Sequence, residues 1–374
     1  MLINEIPDDC LLAIFDYMNN TYDLINCYKV CVKWSYLIDK RTKKTKYLID
    51  QCGYSSDAVS YENRRLIDST CLSELFTNLK VVELSSSIYN KVEDAIGLVK
   101  NQKNLKGLIN SFDEPIEKYC DEPEMLSVYD FNPNILRKCS SLKQLDILCY
   151  SLEDLKRDAH YLPNLERLKI QFHFTENPYD GPVLEKLKIL ELSYECWGRK
   201  IFYGFQLMDS CPNLQSAHIN MNTDSWFLDE TMKHKSLQDL VIQYAGYDDE
   251  GDDWNNLKRL LMKYPNLKHL SLRFGNIKDE NIEELVHILP NLVLLDVSGC
   301  NRVTQEAADI VKDYCKRCGR SIKFYFNGNY NEIESDWPQL STKHEKISRG
   351  FDFMKHCFRK DFNYLSHFLI PINY

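Results

Sequence analysis

The sequence predicts an α/β chain: a short helical N-terminal segment, then a curved solenoid of stacked repeats with a parallel sheet on its concave side and helices on its convex side. Three observations predict it. Apolar residues near the start recur at helical spacing. From Leu79 a leucine pattern returns at intervals of 26, 37, 23, 22, 27, 23, 30, 25 and 29 residues. The last 46 residues lose that pattern but stay rich in phenylalanine.

The first element is helical. Leu11, Ile14, Phe15 and Met18 share one face at i, i+3, i+4, i+7 spacing. Pro7 suits a first helical turn, and Asp8 and Asp9 complement the positive end of the helix dipole. Val30, Trp34, Leu37 and Ile38 line a second stretch. A few short helices within about 40 residues cannot close a core alone. Their apolar side must meet a partner or the rest of the chain.

This segment resembles an F-box. The resemblance covers residues 1–45 and is carried by Ile6, Pro7, Leu11, Ile14, Phe15, Leu24, Val30, Cys31 and Trp34, the last three forming the family's V-C-x-x-W. Ile6 and Met18 stand where the family usually has leucine, with no change of apolar character. The resemblance implies that these nine residues bind the Skp adaptor of SCF ubiquitin ligases and, through it, the cullin and RING subunits. The plainer alternative is a helical cap packed on the following domain.

The repeat unit is L-x-x-L-x-L. It is clearest at Leu165-Leu168-Ile170, Leu187-Leu190-Leu192, Leu237-Leu240-Ile242, Leu267-Leu270-Leu272 and Leu292-Leu295-Val297. Alternation along each strand turns the fourth and sixth positions inward and the third, fifth and seventh outward. Intervening segments such as 279–289 and 254–264 read as helices, and Pro-Asn-Leu at Pro163, Pro212, Pro265 and Pro290 ends a helix and opens the next strand. One unit cannot bury its own apolar face, whereas about ten stacked units can. Residues 292–315 resemble the cysteine-containing leucine-rich repeat common in F-box proteins, with Cys300 at the ninth position. The expected organisation is F-box 1–45, linker and first-repeat flank 46–78, degenerate repeats 79–328 and a C-terminal cap or tail 329–374. An irregular α/α solenoid is the alternative fold.

Composition narrows the function. The net charge of −9 argues against a general nucleic-acid binder. No run of 18 apolar residues, signal peptide or prenylation motif is present, so no membrane partner and a cytoplasmic or nuclear location are expected. The 14 cysteines are scattered, and Cys315-x-x-Cys318 lacks a second pair, so small buried hydrophobes rather than metal ligands are expected. No phosphate loop, H-E-x-x-H or G-x-S-x-G occurs, so neither a cofactor nor catalysis by the chain itself is expected.

Three segments invite a second use. The basic run from Lys40 to Lys46 could be a nuclear import signal, against a solvated helix end. The acidic run from Asp248 to Asp253 could attract a basic partner, against a solvated insertion. The tail could cap the last repeat or cross the concave face. The resemblance implies a non-catalytic substrate receptor of an SCF-type ligase, or alternatively an interaction scaffold acting without ubiquitylation. By the alternation rule, a target protein would meet Arg167, Lys169, Glu191, His218, Gln243, His269, Ser271, Arg273 and Asp296.

Overall fold

The structure is a computed structural model that describes residues 3–50, 55–61, 69–85, 92–172, 177–194, 201–223, 225–244, 254–372 and 374. The acidic run from Asp248 to Asp253 lies outside them. The chain divides into two compact units, Met1–Asp146 with Glu345–Ser348, and Ile147–His344 with Arg349–Tyr374.

The first unit opens with three helices, α1 (Asp8–Asp16), α2 (Thr21–Tyr28) and α3 (Val32–Thr42). Asn20 starts α2 by accepting the Tyr22 and Asp23 N–H groups at 2.9 and 3.3 Å. Strands β1 (Tyr47–Leu48), β2 (Ala58–Val59), β3 (Val81–Leu84), β4 (Gly107–Asn110) and β5 (Met125–Val128) then pair in parallel, in the order β2-β1-β3-β4-β5. Helices α4 (Ser69–Leu75) and α5 (Val92–Asn101) connect them. The helical segment is tied to this sheet: Thr21 donates its N–H and its hydroxyl to Ser60 O at 3.0 and 2.9 Å, and the Ser60 N–H returns to Asn19 O. Strand β6 (Gln144–Ile147) spans the division between the units.

The second unit repeats one motif. Strands β7 (Arg167–Phe172), β8 (Ile189–Tyr194), β9 (Ser216–Met221), β10 (Asp239–Tyr244), β11 (His269–Arg273), β12 (Leu294–Asp296) and β13 (Lys323–Tyr325) pair in parallel with their sequence neighbours. Helices α6 (Leu152–Asp158), α7 (Gly204–Asp209), α8 (Trp254–Leu261), α9 (Asp279–Ile288) and α10 (Gln305–Cys318) lie along the connections. Parallel strands require such crossovers. The motif register holds: Leu168, Leu190, Ala217, Leu240, Leu270 and Leu295 form one row across the sheet, all fully buried.

The asparagines of Pro-Asn-Leu are staples between repeats. The Asn213, Asn266 and Asn291 amides donate to Glu185 O, Lys235 O and Pro265 O at 2.8, 2.8 and 3.0 Å. Helix α10 ends at Gly319, whose φ of +64° is the left-handed conformation that glycine adopts freely. Cys300 is buried and donates its thiol to Leu272 O, the part of a small hydrophobe with a weak donor.

The other face of the strands departs from the alternation rule. Lys169, Glu191 and Ser271, expected at the solvent side, are buried. The reason is the C-terminal segment. Helix α11 (Glu332–Asp336) lies against β13, where Asp336 accepts from Lys323 at 2.9 Å and from the Tyr325 hydroxyl at 2.8 Å. After strand β14 (Ile347–Arg349), helix α12 (Phe353–His356) and the chain up to strand β15 (Phe368–Ile370) cross the strands. Phe353, Phe358, Phe362, Leu365 and Leu369 pack with Ile189, Val241, Leu294 and Tyr325 into a second apolar layer.

Truncating Leu240 or Leu270 to Ala should destabilise the second unit by about 2–5 kcal/mol. Val293→Ala, at an exposed position, should stay within about 0.5 kcal/mol. Urea denaturation of the three variants checks the register, and equal effects would refute it.

Candidate functional site

The N-terminal helices sort their apolar residues into two sets. Leu11, Phe15 and Leu24 are buried, together with Ile25, Leu37 and Ile38, and hold the helices to one another. Pro7, Ile14 and Val30 are exposed, and Ile6, Cys31 and Trp34 are half-buried. Trp34 meets the Phe15 ring edge-on at 5.2 Å between centroids, so it braces α3 on α1 while keeping part of its surface outside. Tyr17, Val32 and Tyr36 add exposed apolar surface, with Val32 88% exposed and Tyr17 82%. Sequence periodicity missed these three because each lies just off the stripes it followed.

Arg41 fixes this arrangement. It is fully buried and donates to Phe15 O at 3.2 Å, Met18 O at 3.3 Å and the Thr45 hydroxyl at 3.0 Å. It thereby closes the C-terminal end of α1. Lys43 pairs with Asp39, and Lys44 with Asp16. The basic run is thus partly built into the helical fold, and an import receptor would have to unfold the end of α3 to read it as a linear signal.

In the second unit the nine strand-face residues come together, but under the tail. Arg167 donates to Ser366 O at 2.6 Å, His367 O at 2.8 Å and the Glu191 carboxylate at 2.6 Å. Arg273 donates to Lys360 O at 3.0 Å, to Phe358 O, and to the Ser271 hydroxyl at 3.1 Å. Asp296 accepts from Ser271 at 3.2 Å. Lys169 places its ammonium 5.6 Å from the Phe362 ring centre, and His218 meets the same ring edge-on at 5.9 Å. His269 pairs with Asp239 at 2.6 Å and lies beside Trp337 and Phe358. Gln243 is half-buried. Of the aromatics where these strands end, Tyr194 is buried, Tyr244 is half-buried and Phe274 is exposed.

Burial shifts the titration of this layer. The His218 imidazole drops from 6.5 to about 3, first through desolvation and then through the charges of Arg273 and Lys169. The same desolvation lowers Arg273 and raises the Cys357 thiol. Buried ions of this kind persist only when each is hydrogen-bonded, which the tail carbonyls and the Glu191 carboxylate provide. Among the described residues, no group of three or more His, Cys, Asp or Glu is placed to hold a metal, and no helix is long and apolar enough to cross a membrane.

Residues 3–44 match the family model of the F-box-like domain. A stretch of 285 residues is 24% identical to F-box/LRR-repeat protein 23 of Arabidopsis thaliana, covering 69% of this chain. The chain spans 56% of the length of that curated relative. A chain from the solved structure titled "Crystal structure of Rad7 and Elc1 complex in yeast" aligns with a TM-score of 0.38 and 15% identity, over 81% of this chain and 86% of that one. The N-terminal segment is an F-box-like domain, and the chain is consistent with an F-box/LRR protein.

Two measurements test the covered face. Phe362→Ala should cost about 3–5 kcal/mol and speed amide exchange throughout 353–370; protection unchanged from the parent would place the tail elsewhere. The folded value of His218 lies below its ordinary one, so between 6.5 and about 3 the unfolded chain binds a proton that the folded chain refuses. The stability tied to neutral His218 is present above 6.5 and lost as pH falls through that window, by up to about 1.4 kcal/mol per pH unit. His218→Gln should flatten the pH dependence of the urea midpoint, and identical slopes would show that His218 reaches solvent.

Proposed function

We propose that this chain is the substrate-receiving subunit of an SCF-type cullin–RING ubiquitin ligase. Its F-box-like helices hold the Skp adaptor, and its second unit holds a target protein. One observation carries the reading: a rigid three-helix domain, internally packed through Leu11, Phe15 and Leu24, keeps Ile14, Tyr17, Val30, Val32 and Tyr36 exposed. Five large apolar side chains left exposed within three short helices fit a protein interface. Of the nine residues first assigned to the adaptor, Pro7, Ile14, Val30 and the outer edge of Trp34 make the contact in this reading. Leu11, Phe15 and Leu24 shape it from beneath.

The chain supplies no bond-making group in this scheme. It brings the lysines of a target near a ubiquitin-charged enzyme recruited through the cullin and RING subunits, so its contribution is proximity. Arg167, Lys169, Glu191, His218, Gln243, His269, Ser271, Arg273 and Asp296 act on the target indirectly, by seating the tail that faces it. The proposed location is cytoplasmic or nuclear.

The double variant Ile14→Ala/Val30→Ala removes exposed side chains only, so it should fold normally. Anchors of this kind are worth about 1–2 kcal/mol each, and together their loss should weaken adaptor capture by roughly tenfold or more. Full capture by the folded variant would reject the interface. Co-purification of a cullin with the parent chain separates a ligase receptor from a scaffold, for which the adaptor alone would be recovered.

A further inference from the structure

Strand β13 ends the row of strands in the second unit, and among the described residues no strand pairs with its outer side. Such an edge presents backbone N–H and C=O groups ready to join another chain. The pairing with β12 identifies those groups. The Lys323 N–H donates to Val293 O, and Tyr325 O accepts the Val297 N–H, each at 2.8 Å. Backbone groups alternate in direction along a strand, so those of Phe324 and Phe326 point away from β12.

One side chain meets them. The Asn329 amide donates to Phe324 O at 3.0 Å, and its Oδ1 accepts the Phe326 N–H at 2.9 Å. A residue of a neighbouring parallel strand does the same with its backbone. Its N–H goes to the carbonyl of one residue, and its carbonyl takes the N–H of the residue two further on. Asn329 copies that pattern with a side-chain amide. Its own N–H covers a third outward group, donating to Phe326 O at 3.1 Å.

Neighbouring residues bond in the other direction. Cys300 holds the ninth place of its repeat, counted from Leu292, and Asn329 holds the ninth counted from Ser321. The Cys300 thiol reaches back to Leu272 O, in the repeat before its own, at 3.2 Å. Asn327 also reaches back, accepting the Gly299 N–H at 2.7 Å and donating to the Asn301 side chain at 3.1 Å. Asn329 bonds instead to its own strand. The strand behind it is firmly seated, with the Phe324 and Phe326 rings buried and their centroids 5.8 Å apart.

We propose that the Asn329 carboxamide stands in for one residue of a further strand and holds the outer edge of β13 shut against the same edge of a second copy of this chain. Two β13 edges related by a two-fold axis are self-complementary. Centred on Phe324, the antiparallel pair sets Lys323 of one copy opposite Tyr325 of the second copy, so no like charges meet. Phe324 and Phe326 stay in their own cores, and only backbone bonds form. Loss of the carboxamide takes the side-chain partner from Phe324 O and the Phe326 N–H, and a second strand restores it.

The test uses the full chain, with sedimentation velocity across a wide range of concentration and peptide-resolved amide exchange. The parent should stay at the mass of one chain. Asn329→Ala should move toward the mass of two chains as concentration rises, and protection over 321–327 should rise with it. Asn329→Lys also loses the carboxamide but sets a charge on the edge, as natural edge strands do, and should stay at one chain. Asn329→Ser takes the place of the Ala variant where the latter does not fold. A folded Ala or Ser variant that stays at one chain overturns the proposal. So does association that leaves 321–327 unprotected or that occurs equally in the Lys variant. Unfolding of both the Ala and Ser variants overturns it too, because Asn329 is then required by the turn itself.

Discussion

Two arginine side chains reaching backbone carbonyls hold the second unit's outer layer in place. Arg167 and Arg273 project from β7 and β11 and donate to carbonyls at 366–367 and 358–360. Each is an ion removed from water, which is tolerable only when its donors are met. The tail gains from the same bonds, because its carbonyls there lie outside the strands and find their partners in the two guanidinium groups. Guanidinium and tail satisfy one another, and the phenylalanines between them supply the apolar driving force. The order of attachment follows the strands backwards, from α11 on β13 to Phe362 over β7 and β9 and on to Arg167. The tail is therefore a structural layer, comparable in burial to the row of leucines on the opposite side of the strands.

The F-box-like helices follow a different logic. Their core is small, and Arg41 supplements it by bonding to two carbonyls at the end of α1 and to the Thr45 hydroxyl. Thr21 and Ser60 add a bonded connection to the following strands. Rigidity from polar contacts leaves apolar side chains free to stay outside, where a partner can bury them. A domain that met the same demand with more internal leucine would have less apolar surface to offer.

Much of this was legible in the sequence because it depends on local periodicity. The leucine rows of β7 to β12 follow directly from L-x-x-L-x-L, and Asn20 starts α2 with a side chain typical of helix caps. The exposure of Ile14 was not legible: it shares the i, i+3, i+4 stripe with Leu11 and Phe15, and only the packing of α3 against α1 decides which side is covered. The burial of Lys169, Glu191 and Ser271 was not legible either. A two-residue alternation reports that a side chain leaves one face of a strand, not what awaits it on the other. The phenylalanines of the tail were the one sequence signal that something must be covered, and they could not name the surface. Likewise the role of Pro-Asn-Leu was half visible. Proline and leucine carry local instructions, but Asn213 and Asn266 act on the preceding repeat, more than 25 residues away.

Closing the strand face also changes where specificity can reside. A face lined by Arg167, Glu191, His218 and Arg273 would, if open, favour a ligand able to satisfy buried ions of both signs, a demanding requirement for any variable partner. With those ions satisfied internally, variation at the outer surface carries no penalty of unpaired buried charge. In the receptor reading proposed above, a solenoid with a fixed inner lining keeps its tail seated while its outer residues vary, so target choice would be separable from the stability of the repeats.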